Sequence, residues 1–187
     1  MTRAARGRAR PVLAGVLLLS TLAGCASVGG GRISLQEALD DRAEVRALTQ
    51  DLAAAAAGVG LEPVDAGGVW GTCTDQGSRW QYSADALLHA EGDSADELRA
   101  VLAAMVDQVG LRTDGPGTFG QDTLADGEAR GLDVRVRAYD DGPELFVSVS
   151  GPCGAIDADQ AELEQGDVGN QVLDIGGTHP NQQDAVP

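Results

Sequence analysis

Leu132-Asp133-Val134-Arg135-Val136-Arg137-Ala138-Tyr139, then Asp140-Asp141-Gly142-Pro143, then Leu145-Phe146-Val147-Ser148-Val149-Ser150 is the stretch that decides the fold. Leu132, Val134, Val136 and Ala138 alternate with Asp133, Arg135, Arg137 and Tyr139. Leu145, Val147 and Val149 alternate with Phe146, Ser148 and Ser150. Successive side chains of an extended chain point to opposite faces, so this pattern predicts two strands, each with one apolar face. Asp140 to Pro143 has the composition of a turn. The two strands are therefore read as an antiparallel hairpin that buries one side, ended by Gly151-Pro152-Cys153-Gly154.

A hairpin with one apolar face needs something to cover it, and the segments upstream supply that cover. Leu98, Val101, Leu102, Met105, Val106 and Val109 follow the spacing of one helix face without a break. Ser94-Ala95-Asp96-Glu97 has the form of a capping box at the helix start, and Gly110 stands where a left-handed residue ends a helix. A second helix is predicted from the capping box Ser34-Leu35-Gln36-Glu37 to about Ala57, with Leu35, Ala38, Leu39, Val45, Leu48, Leu52 and Ala55 as its stripe. Gly58, Gly60 and Pro63 end it. Between the helices, Val69 to Cys73 and Arg79 to Leu88 read as strands joined by a turn over Thr74 to Ser78, with Trp80, Tyr82, Ala84 and Ala86 on one face. Thr118 to Arg130 fits either a weak edge strand around Gln121 to Ala125 or a loop. Helix, two strands, helix and further strands give an α+β fold, with two helices on one face of a small antiparallel sheet in a two-layer sandwich.

The N-terminus carries a different message. Arg3, Arg6, Arg8 and Arg10 precede an apolar run from Pro11 to Thr21, too short to span a bilayer and laid out like a secretory signal peptide. It ends in Leu22-Ala23-Gly24-Cys25, which matches the lipobox of bacterial lipoproteins in full. The resemblance to that class implies lipidation of Cys25, cleavage after Gly24, and anchoring at the extracytoplasmic face of the cell membrane through the lipid. The expected organisation is a lipoprotein signal peptide at 1–24, a lipidated tether at 25–32, an α+β domain at 33–154 and an acidic disordered tail at 155–187, with room for a short helix over Asp157 to Gln165. The 13 basic residues of the 187-residue chain are all arginine, against 29 acids, for a net charge of −16. Loss of the four signal-peptide arginines takes the charge to −20. A chain this acidic repels phosphates, so nucleic acid is excluded as a partner and membrane contact must come from the lipid. The lysine-free, alanine- and glycine-rich composition resembles translation of a high-G+C, actinobacterial genome.

Two cysteines remain, Cys73 and Cys153. In an exported chain they read as one disulfide, with free thiols as the alternative. A metal site is disfavoured, because His89 and His179 stand at no ligand spacing from either cysteine. No cofactor is implied. Asp157-Ala158-Asp159 fails as a calcium loop, because Glu162 stands where glycine is needed. Gly92-Asp93-Ser94 matches the block of one lipase and esterase group, yet Ser94 is accounted for as a helix cap and no Asp-x-x-His block follows near the chain end. Lone His89 reads as a strand-end residue. Trp70, Trp80 and Tyr82, half of the six aromatic residues, have two readings: filling for a small core, or a stacking platform for a flat ligand such as a glycan.

Trp70-Gly71-Thr72-Cys73, Trp80-Gln81-Tyr82 and Val147 through Gly151-Pro152-Cys153 together resemble small uncharacterised actinobacterial envelope lipoproteins of the LppA-like type. That resemblance implies an extracytoplasmic α+β domain with no catalytic residues to carry over. The expectation is a non-catalytic envelope protein that binds a protein partner or ligand. The alternatives are a carboxylate-dependent hydrolase of cell-wall polymer, or a carrier of lipid or another small ligand. Cells fed labelled palmitate should incorporate it into the wild-type protein and not into Cys25→Ser; equal labelling of both overturns the lipobox reading.

Overall fold

The deciding hairpin forms in the register its alternation predicts, with Val136 opposite Val147 and Val134 opposite Val149. The computed structural model describes residues 32–73, 79–91, 94–140, 142–156, 163 and 171–176. In chain order these build β1 (Arg32–Ile33), α1 (Leu35–Ala57), β2 (Glu62–Thr72), β3 (Trp80–His89), α2 (Ser94–Val109) and β4 (Arg112–Thr113). There follow β5 (Gly117–Phe119), β6 (Asp122–Ala129), β7 (Leu132–Ala138), β8 (Glu144–Ser150), β9 (Ala155–Ile156) and β10 (Gln171–Val172). The main sheet runs β10-β2-β3-β8-β7-β6-β4, with β5 also on β6, and every pairing in it is antiparallel. β1 and β9 form a separate parallel pair. The architecture is α+β, with both helices on one face of the sheet and one disulfide.

Local chemistry explains the helix limits. The Ser34 side chain accepts from the Glu37 amide at 3.2 Å, and the Ser34 amide donates to Glu37 Oε2 at 2.7 Å. This satisfies two amides that the first helical turn leaves without partners. At the other end the Gly58 amide donates to the Ala54 carbonyl at 3.0 Å, and the chain turns through Gly60 at φ 100° into β2. α1 buries Ala38, Val45, Leu48, Leu52, Ala53, Ala55 and Ala56 against the sheet and α2. Under it β3 offers Ala84 and Ala86, both fully buried. Small residues on both sides bring helix and strand close. Leu98, Val101, Leu102 and Met105 of α2 are buried, as their spacing predicts, whereas Val106 of the same expected stripe is 44% exposed and Val109 only half-buried; the Ser94 side chain of the expected second capping box lies outside the described residues.

Two strands are longer than their sequence signal. β2 begins at Glu62, not near Val69, and absorbs a register shift between Pro63 and Asp65. Pro63 is tolerated because it sits at the strand start beside the irregularity. Gly68 hides the strand from a pattern search, yet it has a packing reason: a Cβ there would stand 2.1 Å from the Tyr82 hydroxyl and 2.6 Å from its ring. β6 occupies the stretch read as edge strand or loop. Its core face carries only Thr123, Ala125, Gly127 and Ala129, and a Cβ at Gly127 would meet the Arg112 carbonyl at 2.6 Å. Strands whose buried residues are alanine and glycine leave no apolar alternation to read. Between β6 and β7, Arg130 and Gly131 both have positive φ, 54° and 80°, the geometry of a two-residue hairpin turn.

The C-terminal expectation needs correction. Ala155–Ile156 pairs with Arg32–Ile33, and Gln171–Val172 pairs with Gly68 and Gly67 of β2. Leu163 and Leu173 are fully buried, and the Leu173 amide donates to the Ala66 carbonyl at 3.0 Å. Isolated leucines among acids show no period, but each one finds an apolar hole. Arg32, counted in the tether, is the first residue of β1. The signal peptide, the rest of the tether, the turn at Thr74 to Ser78 and the tail residues at 157–162, 164–170 and 177–187 lie outside the described residues.

Gly68→Ala should lower stability by about 1–3 kcal/mol, the usual cost of forcing extra volume into a packed site. Gly71→Ala on the same strand, where a Cβ meets nothing within 4 Å, should stay near wild type. Denaturant melts of both variants check this; equal effects would remove the Tyr82 argument.

Candidate functional site

The helices cover one face of the sheet and leave the other open. Alternation therefore decides what the open face carries. β3 contributes Gln81, Ser83, Asp85 and Leu87, β8 contributes Phe146, Ser148 and Ser150, and β7 contributes Asp133, Arg135 and Arg137. Register places these side chains in rows. Ser83 lies opposite Ser150, and Ser150 opposite Asp133. Asp85 lies opposite Ser148, Ser148 opposite Arg135, and Arg135 opposite Asp126 of β6.

The middle of this face is low because its side chains are short. Ser83 Oγ and Ser150 Oγ are 3.1 Å apart. Beside them a groove of about 400 Å³ opens over Ser148 and Ser150, lined also by Gln81, Asp126, Asp133 and Arg135. Gln81 is held at its rim by donating to the Gly151 carbonyl at 2.6 Å. On the far wall the Arg135 guanidinium grips Asp126 through two bonds, Nε to Oδ1 at 2.7 Å and Nη2 to Oδ2 at 3.3 Å. That paired carboxylate raises the Arg135 pKa.

Asp85 differs from its neighbours. Burial pushes its carboxyl above the ordinary aspartate value of 3.8, and a hydrogen bond with the Ser148 side chain works in the opposite direction. Towards the other end of the sheet, Asp122 shows the contrasting case. Its hydrogen bond with Arg137 holds its carboxyl below the ordinary value, and Arg137 also lies 4.6 Å from the centre of the Tyr139 ring. Burial likewise raises Asp41 on α1, helped by the like charges of Glu44, Glu37 and Asp40. Those are helix neighbours on the other side of the molecule, not a cavity.

The residues singled out in the sequence are placed as follows. Cys73 and Cys153 form the disulfide, their Cα atoms 6.0 Å apart, across the end of β3, where Trp80 and Gly154 exchange two backbone hydrogen bonds at 2.8 and 3.0 Å. With its ends 80 positions apart in the sequence, the closed loop is worth about 4–5 kcal/mol in the chain-entropy account. Trp70 and Tyr82 meet edge to face with ring centres 5.2 Å apart. They retain only 7% and 2% of their exposure. Two rings under the helices cannot stack on a ligand, so the platform of Trp70, Trp80 and Tyr82 is core filling, with Trp80 half-buried against it. His89 closes its strand opposite Glu144. Cys25 lies outside the described residues. Among the described residues no three histidine, cysteine or acidic side chains gather as a metal would require.

The groove residues were not singled out from sequence, although Gln81, Asp133, Arg135, Ser148 and Ser150 stand on the polar sides of strands whose alternation is clean; Asp126 stands on β6, which has none. The signal for them was the presence of serines, Ser148 and Ser150, where a solvent face usually carries longer side chains. The chain matches no protein-family model and no curated protein. Among solved structures it is similar to a DUF4853 family protein from Actinomyces odontolyticus, at 10% identity over 81% of this chain and 80% of that one, with a TM-score of 0.46. A likeness at that level bears on no residue of the groove.

A raised Asp85 means that the folded chain keeps this proton to higher pH than the unfolded chain. Its contribution to stability is full below the unfolded value near 3.8 and is lost as pH rises through the folded value. Asp85→Asn keeps an acceptor for Ser148 and removes the desolvated charge. The variant should therefore gain stability relative to wild type at pH 7, and the gain should shrink as pH falls towards 3.5. Denaturant midpoints of the two proteins across that range check it; a pH-independent difference contradicts it.

Proposed function

We propose that the chain is a lipid-anchored, extracytoplasmic envelope protein that binds a ligand or protein partner without chemistry, using the open face of its sheet. The groove over Ser148 and Ser150 carries this reading, because it is a concave polar surface on the one side of the sheet that the helices leave free. The lipobox Leu22-Ala23-Gly24-Cys25 supports the address, and the disulfide suits an oxidising compartment. No helix among the described residues is long and apolar enough to cross a membrane, so the lipid on Cys25 is the proposed attachment. Six residues, Ala26 to Gly31, lie between Cys25 and Arg32, a reach of about 25 Å from one to the other at full extension. β1, packed by Ile33 against Gly154, would hold the disulfide end of the domain towards the membrane.

The non-catalytic reading follows from how the polar groups are arranged. The groove serines pair with each other or with Asp85, not with a histidine that would activate them. One observation favours the hydrolase alternative: burial raises the Asp85 carboxyl, and a raised carboxyl is better suited to act as an acid. Its partner would be Asp133, two strands and two residues away, which sets the backbones about 12 Å apart. Paired glycosidase carboxyls stand about 5–9.5 Å apart.

The test places a photo-crosslinking residue at Ser150 in the native cell, with Glu44 on the helix side as control. A recurrent envelope neighbour captured from Ser150, absent from Glu44 and lost with Cys25→Ala, is the expected result. Turnover of wall polymer by the purified domain, abolished in Asp85→Asn, would replace this reading with the hydrolase.

A further inference from the structure

The six aromatic residues of the chain divide evenly between two places. Trp70, Trp80 and Tyr82 belong to the core. Phe119, Tyr139 and Phe146 stand on the open face, at the end away from the disulfide, and register puts them there. Leu87 of β3 lies opposite Phe146 of β8, Phe146 opposite Arg137 of β7, and Arg137 opposite Leu124 of β6. Residues opposite each other in antiparallel strands share a face, so this row crosses four adjacent strands. Phe119 of β5 lies opposite Asp122, whose Oδ2 accepts from Arg137 Nε at 2.8 Å. The Arg137 guanidinium also covers the Tyr139 ring, 4.6 Å from its centre. Leu87, Leu124, Tyr139 and Phe146 are half-buried, and Phe119 is 68% exposed. Charge inside the row is cancelled by the Arg137–Asp122 pair. Exposed acids stand at its margin instead: Asp140 after β7, and Glu62 and Glu144 on either side of His89.

We propose that this end of the open face docks a protein whose contact surface is an apolar patch bordered by lysine or arginine. The inference goes beyond the groove over Ser148 and Ser150, which lies nearer the disulfide, and does not depend on it. Its first support is composition. Phe119 contributes little to the core at its exposure, and it adjoins a row of half-buried apolar side chains, so another surface can remove all of them from water. Aromatic rings and an arginine at the centre, with charged groups at the rim, are what protein interfaces are built from. The acidic margin then selects among occupants. It repels anionic headgroups of a membrane and the same margin on a second copy, and it matches a basic rim. A sugar ring needs an open aromatic face to stack on; Arg137 covers one face of Tyr139, and Phe146 is half-buried between its neighbours. The chain enters the domain at β1, beside Gly154 at the disulfide end. The aromatic end therefore points away from that entry, where a partner meets no obstruction from it.

The probe is a phage library of random dodecapeptides, panned against the full-length protein in detergent. Recovered peptides are synthesised and titrated by fluorescence polarisation against wild type, Phe119→Ser, the double variant Asp140→Asn with Glu144→Gln, and Val59→Ser. Val59 is an exposed valine between α1 and β2, so its loss controls for general stickiness. The expected peptides join aromatic or aliphatic residues to lysine or arginine. Phe119→Ser should weaken them about tenfold or more, as truncating a central aromatic does. The double variant should weaken them less and flatten their salt dependence, and Val59→Ser should leave them unchanged. Phe119 is exposed, so its substitution spares the fold; denaturant midpoints equal to wild type check that. Recovery of no peptide, of peptides without basic residues, or equal loss in Val59→Ser overturns the inference. So does sedimentation showing a dimer that Phe119→Ser dissociates, which makes the occupant a second copy. If the peptides fail while Ser150 still captures its neighbour in cells, docking at the aromatic end falls and the groove reading survives. If the peptides bind as expected and Ser150 captures nothing, the groove reading falls alone.

Discussion

The ladder between β3 and β8 is the contact on which the rest depends. β2 and β3 form one local pairing, and β6, β7 and β8 form another; β3 and β8 join them over a long sequence separation, from Ser83 opposite Ser150 to His89 opposite Glu144. Without that junction there is no continuous floor for α1, which packs on both strands. The same junction sets Tyr82, Ala84, Ala86, Val147 and Val149 side by side in the core. On the reverse face it sets Ser83, Asp85, Ser148 and Ser150 side by side, the last two lining the groove. Core and groove are two sides of one register, and a slip of one residue would exchange them.

The disulfide and the short parallel pair guard the end of this junction. Cys73 leaves β2 and Cys153 follows β8, so their bond spans β3 where Trp80 and Gly154 pair. β1 and β9 add a second closure just outside it. A small sheet with many alanines and few large side chains has limited apolar area to bury, and cross-links compensate for that. The aromatic rings serve the same purpose. Trp70 and Tyr82 supply volume that alanine cannot, and Gly68 makes room for the tyrosine.

The charge on the open face is ordered, not merely abundant. Exposed arginine–carboxylate pairs such as Arg112–Glu128 contribute little to stability. Their effect is to cancel charge along β6 and leave it at Asp85 and Asp133. Asp85 also carries the cost of burial, visible in its raised carboxyl.

Much of the fold was legible in the residues. The β7–β8 hairpin, the stripe of α2 and the Ser34–Glu37 capping box all rest on contacts within a few positions of sequence, where period and spacing carry the information. The pairing of Cys73 with Cys153 was legible from compartment and count. Elements built from glycine and alanine were not: β6 and the first half of β2 show no alternation, and Leu163 and Leu173 show no period. The sequence alone determined which residues of each strand are polar and which apolar, because that is a property of one chain segment in extended form. Only the tertiary structure decided that the polar sides of β3, β7 and β8 lie together and that Trp70 and Tyr82 face the helices. Which distant strands adjoin is settled by how the buried faces pack across the whole molecule, not by any local pattern.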